Sequence, residues 1–160
     1  MVKSLDDISY PPLEDHVGWR LWQVSEAWKK QFDAAMVERG HAWFGEARGQ
    51  VVRHLGPKGL PQSSLVFHMG LTKQAVQQLL DDLVSDGVLA RKPDPADKRS
   101  NLIVLTPLGL QALHDANKIK KRIEKDYENL LGTRKFAALM QGLGELAAAL
   151  KARKGIKPSS

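Results

Sequence analysis

The sequence predicts a mainly α-helical chain with one small β-hairpin. Three observations carry that reading. Apolar residues recur at three- and four-residue steps over long stretches, and two helical segments flank a tight turn at Gly70-Leu71. Two strand-like runs, residues 88–92 and 101–105, enclose a tip rich in proline, aspartate and cations.

Each element has its own signal. After the Pro11-Pro12 break, Leu13, Val17, Leu21, Val24, Trp28, Phe32, Ala35 and Met36 mark a first amphipathic helix that ends near Gly40. Residues 42–55 read as a second helix, weakened by Gly45 and Gly49 and closed by the loop Gly56-Pro57-Lys58-Gly59. A short helix follows from Pro61 to Met69. Thr72 suits the N-cap of the next helix, whose Val76, Leu79, Leu80 and Leu83 form a stripe for burial.

Gly87 suits a left-handed helix cap, and Val88 to Lys92 then form a strand. Pro93-Asp94-Pro95-Ala96-Asp97 is turn chemistry, Asn101 to Leu105 supply the second strand, and Thr106-Pro107 reads as N-cap and first helical residue. The helix that begins there keeps Leu113, Ala116, Ile119, Ile123, Tyr127 and Leu130 on one face. A last helix repeats the pattern at Phe136, Leu139, Met140, Leu143, Leu146 and Leu150. These two helices carry more apolar face than one small monomer hides, which predicts a dimer, with packing inside one chain as the alternative. The tail KARKGIKPSS is polar and basic, and we expect it to be disordered and to act as a weak phosphate-binding arm.

Composition narrows the classes. The 160 residues are about the size of one domain, and 42% hydrophobic with 26% charged residues argues against general disorder. Lysine and arginine number 24 against 18 acidic residues, and the resulting net charge of +6 favours a polyanionic partner without identifying it. Cysteine is absent, which excludes disulfides, thiolate metal sites and cysteine nucleophiles. No apolar run approaches the roughly 18 residues of a membrane span, and MVKSLDDISYPPLED lacks a signal-peptide core, so we expect a cytoplasmic protein with no membrane partner.

A helix, tight turn, helix and two-stranded hairpin in this order make a winged helix-turn-helix, whose second helix enters the major groove of double-stranded DNA while the wing reaches the neighbouring backbone or minor groove. Thr72, Lys73, Gln74, Gln77 and Gln78 precede or oppose the leucine stripe and are the candidate contacts of that helix. Glutamine can pair with adenine, while Thr72 and Lys73 suit phosphates. The plain alternative is an exposed polar helix face.

At "GLTKQAVQQLLDDLVSDGVLARKPDPADKRSNLIVLTPLG", residues 70–109, the chain resembles the MarR family of bacterial transcription factors through Leu83, Gly87, Asp94-Pro95, Asp97-Lys98-Arg99, Leu105-Thr106 and Gly109. Elsewhere between residues 13 and 150 the resemblance is architectural. It implies an N-terminal dimerisation helix in 1–40, a winged helix-turn-helix in 41–106 and C-terminal dimerisation helices in 107–150, with 151–160 as the basic tail. It also implies that the wing residues Lys98, Arg99 and Ser100 contact DNA, Arg99 entering the minor groove and Asp97 orienting it. A narrow minor groove attracts such a guanidinium, whereas the alternative is a solvated hairpin turn. One departure stands out: Gln78 and Asp82 occupy positions that are basic in many family members, and Asp81 and Asp86 add further negative charge, so the grip on DNA is expected to be weaker or the operator unusual.

The resemblance further implies a homodimer on an inverted-repeat operator with half-sites about 34 Å apart, acting as a repressor that a small aromatic or phenolic effector releases. Trp19, Trp22, Trp28 and Trp43 crowd the first third of the chain beside His16 and His41. We take His16, Trp22, Trp28, His41 and Trp43 as the candidate effector pocket, with core packing as the commoner role for such rings. The five histidines show no tight ligand spacing, so no metal and no required cofactor are expected. The chain lacks a phosphate-binding glycine loop, a nucleophile elbow and a zinc-helix motif, and we expect no enzyme. The remaining alternative is a winged-helix protein-interaction adaptor without sequence-specific DNA binding, which salt-dependent binding to duplex DNA would exclude.

Overall fold

In the computed structural model, which describes residues 15–45, 47–56, 58–95, 97 and 100–155, a long helix α1 (Val17–Glu38) opens the chain. His16 caps it, the Trp19 backbone N–H donating to His16 Nδ1 at 3.3 Å. A 3-10 turn (Ala42–Gly45), α2 (Ala47–His54), a two-residue strand β1 (Leu60–Pro61) and α3 (Gln62–Met69) follow. Then come α4 (Lys73–Ser85), β2 (Leu89–Pro93), β3 (Asn101–Leu105), α5 (Pro107–Leu131) and α6 (Thr133–Gly155).

The predicted helix over 42–55 is divided in two. Gly49 explains the division: a Cβ there would lie 1.8 Å from the Phe44 carbonyl oxygen, so only glycine lets α2 turn back this closely onto the 3-10 segment. That close approach sends Trp43 and Phe44 inward.

Strand β3 is central, with β1 and β2 antiparallel on either side. Arg91 and Leu60 both sit opposite Ile103, from the two flanking strands. The edge strand β1 was not expected, because two residues paired to a partner some forty positions away leave no local periodicity. Gly87 takes φ +71 after α4, the left-handed conformation expected of it, and the chain enters β2.

One core gathers Phe32 and Met36 of α1, Phe44, Val51 and Val52, Leu65 of α3, the α4 stripe Val76, Leu80 and Leu83, Ile103 of the sheet, and Ala112, Ala116, Ile119 and Ile123 of α5. It therefore spans all three segments into which the sequence divided the chain. At its edge the buried Asp115 carboxylate accepts from Arg39 at 2.8 Å and from Gln111 at 3.2 Å, and lies 3.2 Å from His41 Nε2. The His41 hydrogen bond, followed by that of Gln111 and the Arg39 charge, holds the Asp115 carboxyl below its ordinary pKa.

Outside this core the helices are bare. The N-terminal half of α1 and the described residues of α6 contain no buried position, and Val17, Leu21, Val24, Leu139, Leu143, Leu146 and Leu150 all remain exposed. The tail, expected to be disordered from residue 151, is helical through Gly155. Lys151, Ala152 and Arg153 are good helix formers, and cations near a helix C-terminus meet its negative end. Residues 156–160 lie outside the described residues.

Candidate nucleic-acid interface

Helix α4 starts at Thr72, whose extended backbone and side chain make an N-cap: Thr72 Oγ1 accepts from the Ala75 N–H at 3.2 Å. Its apolar stripe is drawn inward by the core, and this turns Lys73, Gln74 and Gln78 outward, where all three are exposed. Gln77 is half-buried and held from two sides. Its amide donates to Asp81 at 2.9 Å, and its carbonyl oxygen accepts from Gln62 of α3. Gln78 donates to Asp82 at 2.9 Å in the same i,i+4 pattern.

The acidic residues that were expected to weaken the grip on DNA are largely compensated. Arg91 of β2 pairs with Asp81 at 2.5 Å and, with Gln77, holds that carboxyl below its ordinary pKa. Asp86, at the far end of α4, pairs with Arg48 of α2 at 2.9 Å. The Arg91–Asp81 pair also ties the recognition helix to the wing strand.

The wing is fastened at its base by Thr106. Its hydroxyl donates to the carbonyl oxygens of Gly87 and Val88, at 2.6 and 3.0 Å, and accepts from the Gly109 N–H at 3.2 Å. One side chain thus joins the end of α4, the start of β2 and the first turn of α5. At the tip the Asp94 N–H donates to the Ser100 carbonyl and the Ser100 N–H to the Asp97 carbonyl, at 3.1 and 2.9 Å. Lys98 and Arg99 lie outside the described residues.

Recognition helix and wing face a shared cleft of about 580 Å³, to which α4 contributes Lys73 and Gln77 and the wing Asp97, Ser100 and Asn101. Gln62 and Ser63 from the first turn of α3 complete it. The sequence reading did not single these two out, although a polar pair directly after Pro61, at a helix N-terminus, was a readable signal.

The five residues predicted as an effector pocket are not gathered into one site. His16 serves as a helix cap, and Trp22 stacks on Trp19 at 4.9 Å on the exposed half of α1. His41 is buried against Asp115, and Trp43 is buried beside Phe44. Only His41 and Trp43 meet, edge to face with centroids 6.3 Å apart, because His16, Trp22 and Trp28 are spread along α1 while the other two lie beyond its end. Trp28 lines a cleft, described below.

The MarR family model matches residues 47–100, the stretch from α2 to the wing tip. Over 69 residues the chain is 29% identical to a putative transcriptional regulatory protein for the hcr operon of Thauera aromatica, a match that covers 43% of this chain and 42% of that relative. The fold is similar to that of a transcriptional regulator from Thermotoga maritima, with a TM-score of 0.66 at 22% identity over 88% of this chain and 97% of that one. It is also similar to the transcriptional repressor CouR bound to a 23-mer DNA duplex, with a TM-score of 0.62 at 25% identity over 82% and 92% of the two chains.

Proposed function

We propose that the chain is a DNA-binding transcriptional regulator of the MarR family: a homodimeric repressor that reads an inverted repeat and is released by a small aromatic or phenolic effector. The similar proteins are regulators, and this chain is not an enzyme. The observation that carries the reading is the convergence of the α4 N-terminus and the wing on one polar cleft. With the first turn of α4 in the major groove, Lys73 and Thr72 meet phosphates and Gln74 and Gln78 meet base edges, while the wing reaches along the backbone with Lys98, Arg99 and Ser100.

A dimer follows from the exposed apolar faces of α1 and α6. Between them runs an apolar groove of about 440 Å³ lined by Val17, Leu21, Val24, Leu139, Leu143 and Leu146. Covering it with a second copy removes that surface from water and sets the two recognition helices at a fixed spacing.

The test is fluorescence anisotropy with DNA from upstream of the gene, an unrelated duplex and a salt series. Tight, salt-sensitive preference for the upstream fragment supports a sequence-specific regulator. Equally weak binding to both fragments points instead to a winged helix used for protein contact. Arg99→Ala should lower operator affinity with unchanged thermal stability, and Asp97→Ala should lower it less. Equal affinity of Arg99→Ala and the parent would remove the wing from the interface.

A further inference from the structure

We propose that the outer face of α5 binds the phosphate backbone of a second DNA duplex, so that one dimer holds two duplexes at once. The inference goes beyond the reading of the chain as a regulator and uses a surface outside the winged region.

Five exposed side chains make that face. His114, Lys118, Lys121, Arg122 and Lys125 all stand in solvent on α5. At about 100° of turn per residue they fall within one stripe roughly 100° wide. The side of α5 that enters the core, at Ala112, Ala116, Ile119 and Ile123, points away from it. No carboxylate falls within the stripe, because Glu124 and Asp126 lie to either side of it.

The stripe repels itself. Lys118 with Arg122 and Lys121 with Lys125 are like charges at i,i+4, and Lys118 with Lys121 at i,i+3, a spacing at which equal charges destabilise a helix. Elsewhere the same spacing carries compensating partners, Lys29 with Asp33 at 2.5 Å and Gln141 with Glu145 at 2.8 Å. Lys125 has Glu128 at 2.8 Å, whereas Lys118, Lys121 and Arg122 make no ion pair among the described residues. A polyanion laid along the stripe turns this repulsion into attraction.

Spacing and composition select the polyanion. Lys118, Lys121 and Lys125 climb about 10 Å of helix axis, while one DNA strand presents a phosphate roughly every 3.4 Å. Three cations therefore meet about three successive phosphates. The stripe offers no apolar side chain of the kind that anchors a protein partner or enters a membrane. Lysine point charges suit a row of phosphates.

The position leaves the face open. Ile123 and Tyr127 of α5 line a cleft of about 370 Å³ together with Trp28 of α1 and Leu139 and Met140 of α6. Those two lie roughly 140–180° round the helix from Lys118. A second copy seated on the apolar side, against α1 and α6, thus closes that cleft and leaves both stripes in solvent. Each stripe starts about 16 Å along α5 from the wing base, because Lys118 is eleven residues beyond Pro107.

The experiment is duplex capture. The full chain is bound to an upstream duplex fixed on beads, and a fluorescent unrelated duplex is added at about 0.15 M ionic strength. The parent should retain the labelled duplex. A triple variant, Lys118→Gln with Lys121→Gln and Arg122→Gln, should retain at least about tenfold less, with upstream-duplex affinity within about twofold by anisotropy. Its thermal midpoint should be no lower than the parent's, because the self-repulsion is gone. No capture by the parent, equal capture by parent and variant, or a fall in upstream-duplex affinity that matches the fall in capture would each overturn the proposal. Retention of fluorescent poly-glutamate in place of the duplex, lost in the variant, would overturn it in favour of an acidic protein segment. Repeating the capture with unrelated duplex on the beads reads the stripe without any operator, so failure of this site and failure of the regulator reading stay distinguishable.

Discussion

Helices α4 and α6 carry the same kind of apolar stripe and meet opposite fates. Val76, Leu80 and Leu83 of α4 are 0% exposed, whereas Leu139, Leu143, Leu146 and Leu150 of α6 keep 39–50% of their surface in water. The cause lies in the neighbours: α4 is enclosed by α2, α3 and β2, while α6 packs mainly on α5. A helical period says that a face is to be covered. It does not say whether this chain or a second one covers it.

The largest effect should come from charging the uncovered stripe. In the proposed dimer Leu143→Glu places two carboxylates at the two-fold face, and it should leave a folded monomer by sedimentation whose operator affinity falls about a hundredfold or more, because the second half-site no longer assists the first. A variant that remains dimeric would show that α6 is not the shared face. Next in size is Leu80→Ala in the covered stripe, which should lower the free energy of unfolding by about 2–5 kcal/mol in denaturant titration and leave the dimer contact intact.

A smaller effect should appear at Asp115, between the two regions. Its folded pKa lies below the ordinary value of about 3.9, so it contributes stability that is fully present above that pH and is lost as pH falls through the folded value. Asp115→Asn should therefore be less stable than the parent at neutral pH, and thermal melts of the two should draw together toward low pH. The smallest effect belongs to Arg91→Ala, which releases Asp81 on the DNA-facing helix. Exposed ion pairs contribute roughly 0–1 kcal/mol, so operator affinity should fall less than about tenfold, more at low salt than at high.

How much of this was legible depended on the distance over which each signal acts. Asn101–Leu105 was read to the residue, and Thr72 and Thr106 were read as caps, because strand alternation, turn residues and helix caps are written in adjacent positions. Strand β1 and the Asp115 cluster join residues about 40 to 76 positions apart, and nothing local marks them. The tryptophans are dispersed for the same reason. Trp22 and Trp28 share one helix but not one face, and His41 and Trp43 lie past the Gly40 turn that redirects the chain into the core.

The Thr106 clasp has a mechanical consequence. Because it welds the wing base to the first turn of α5, the 25 residues of that helix form a stiff arm about 38 Å long from the wing to the corner at Gly132. A pivot of roughly ten degrees at that corner carries the wing through about 7 Å, more than the roughly 6 Å width of a minor groove. A modest rotation at one end is thereby geared into a displacement of groove width at the other.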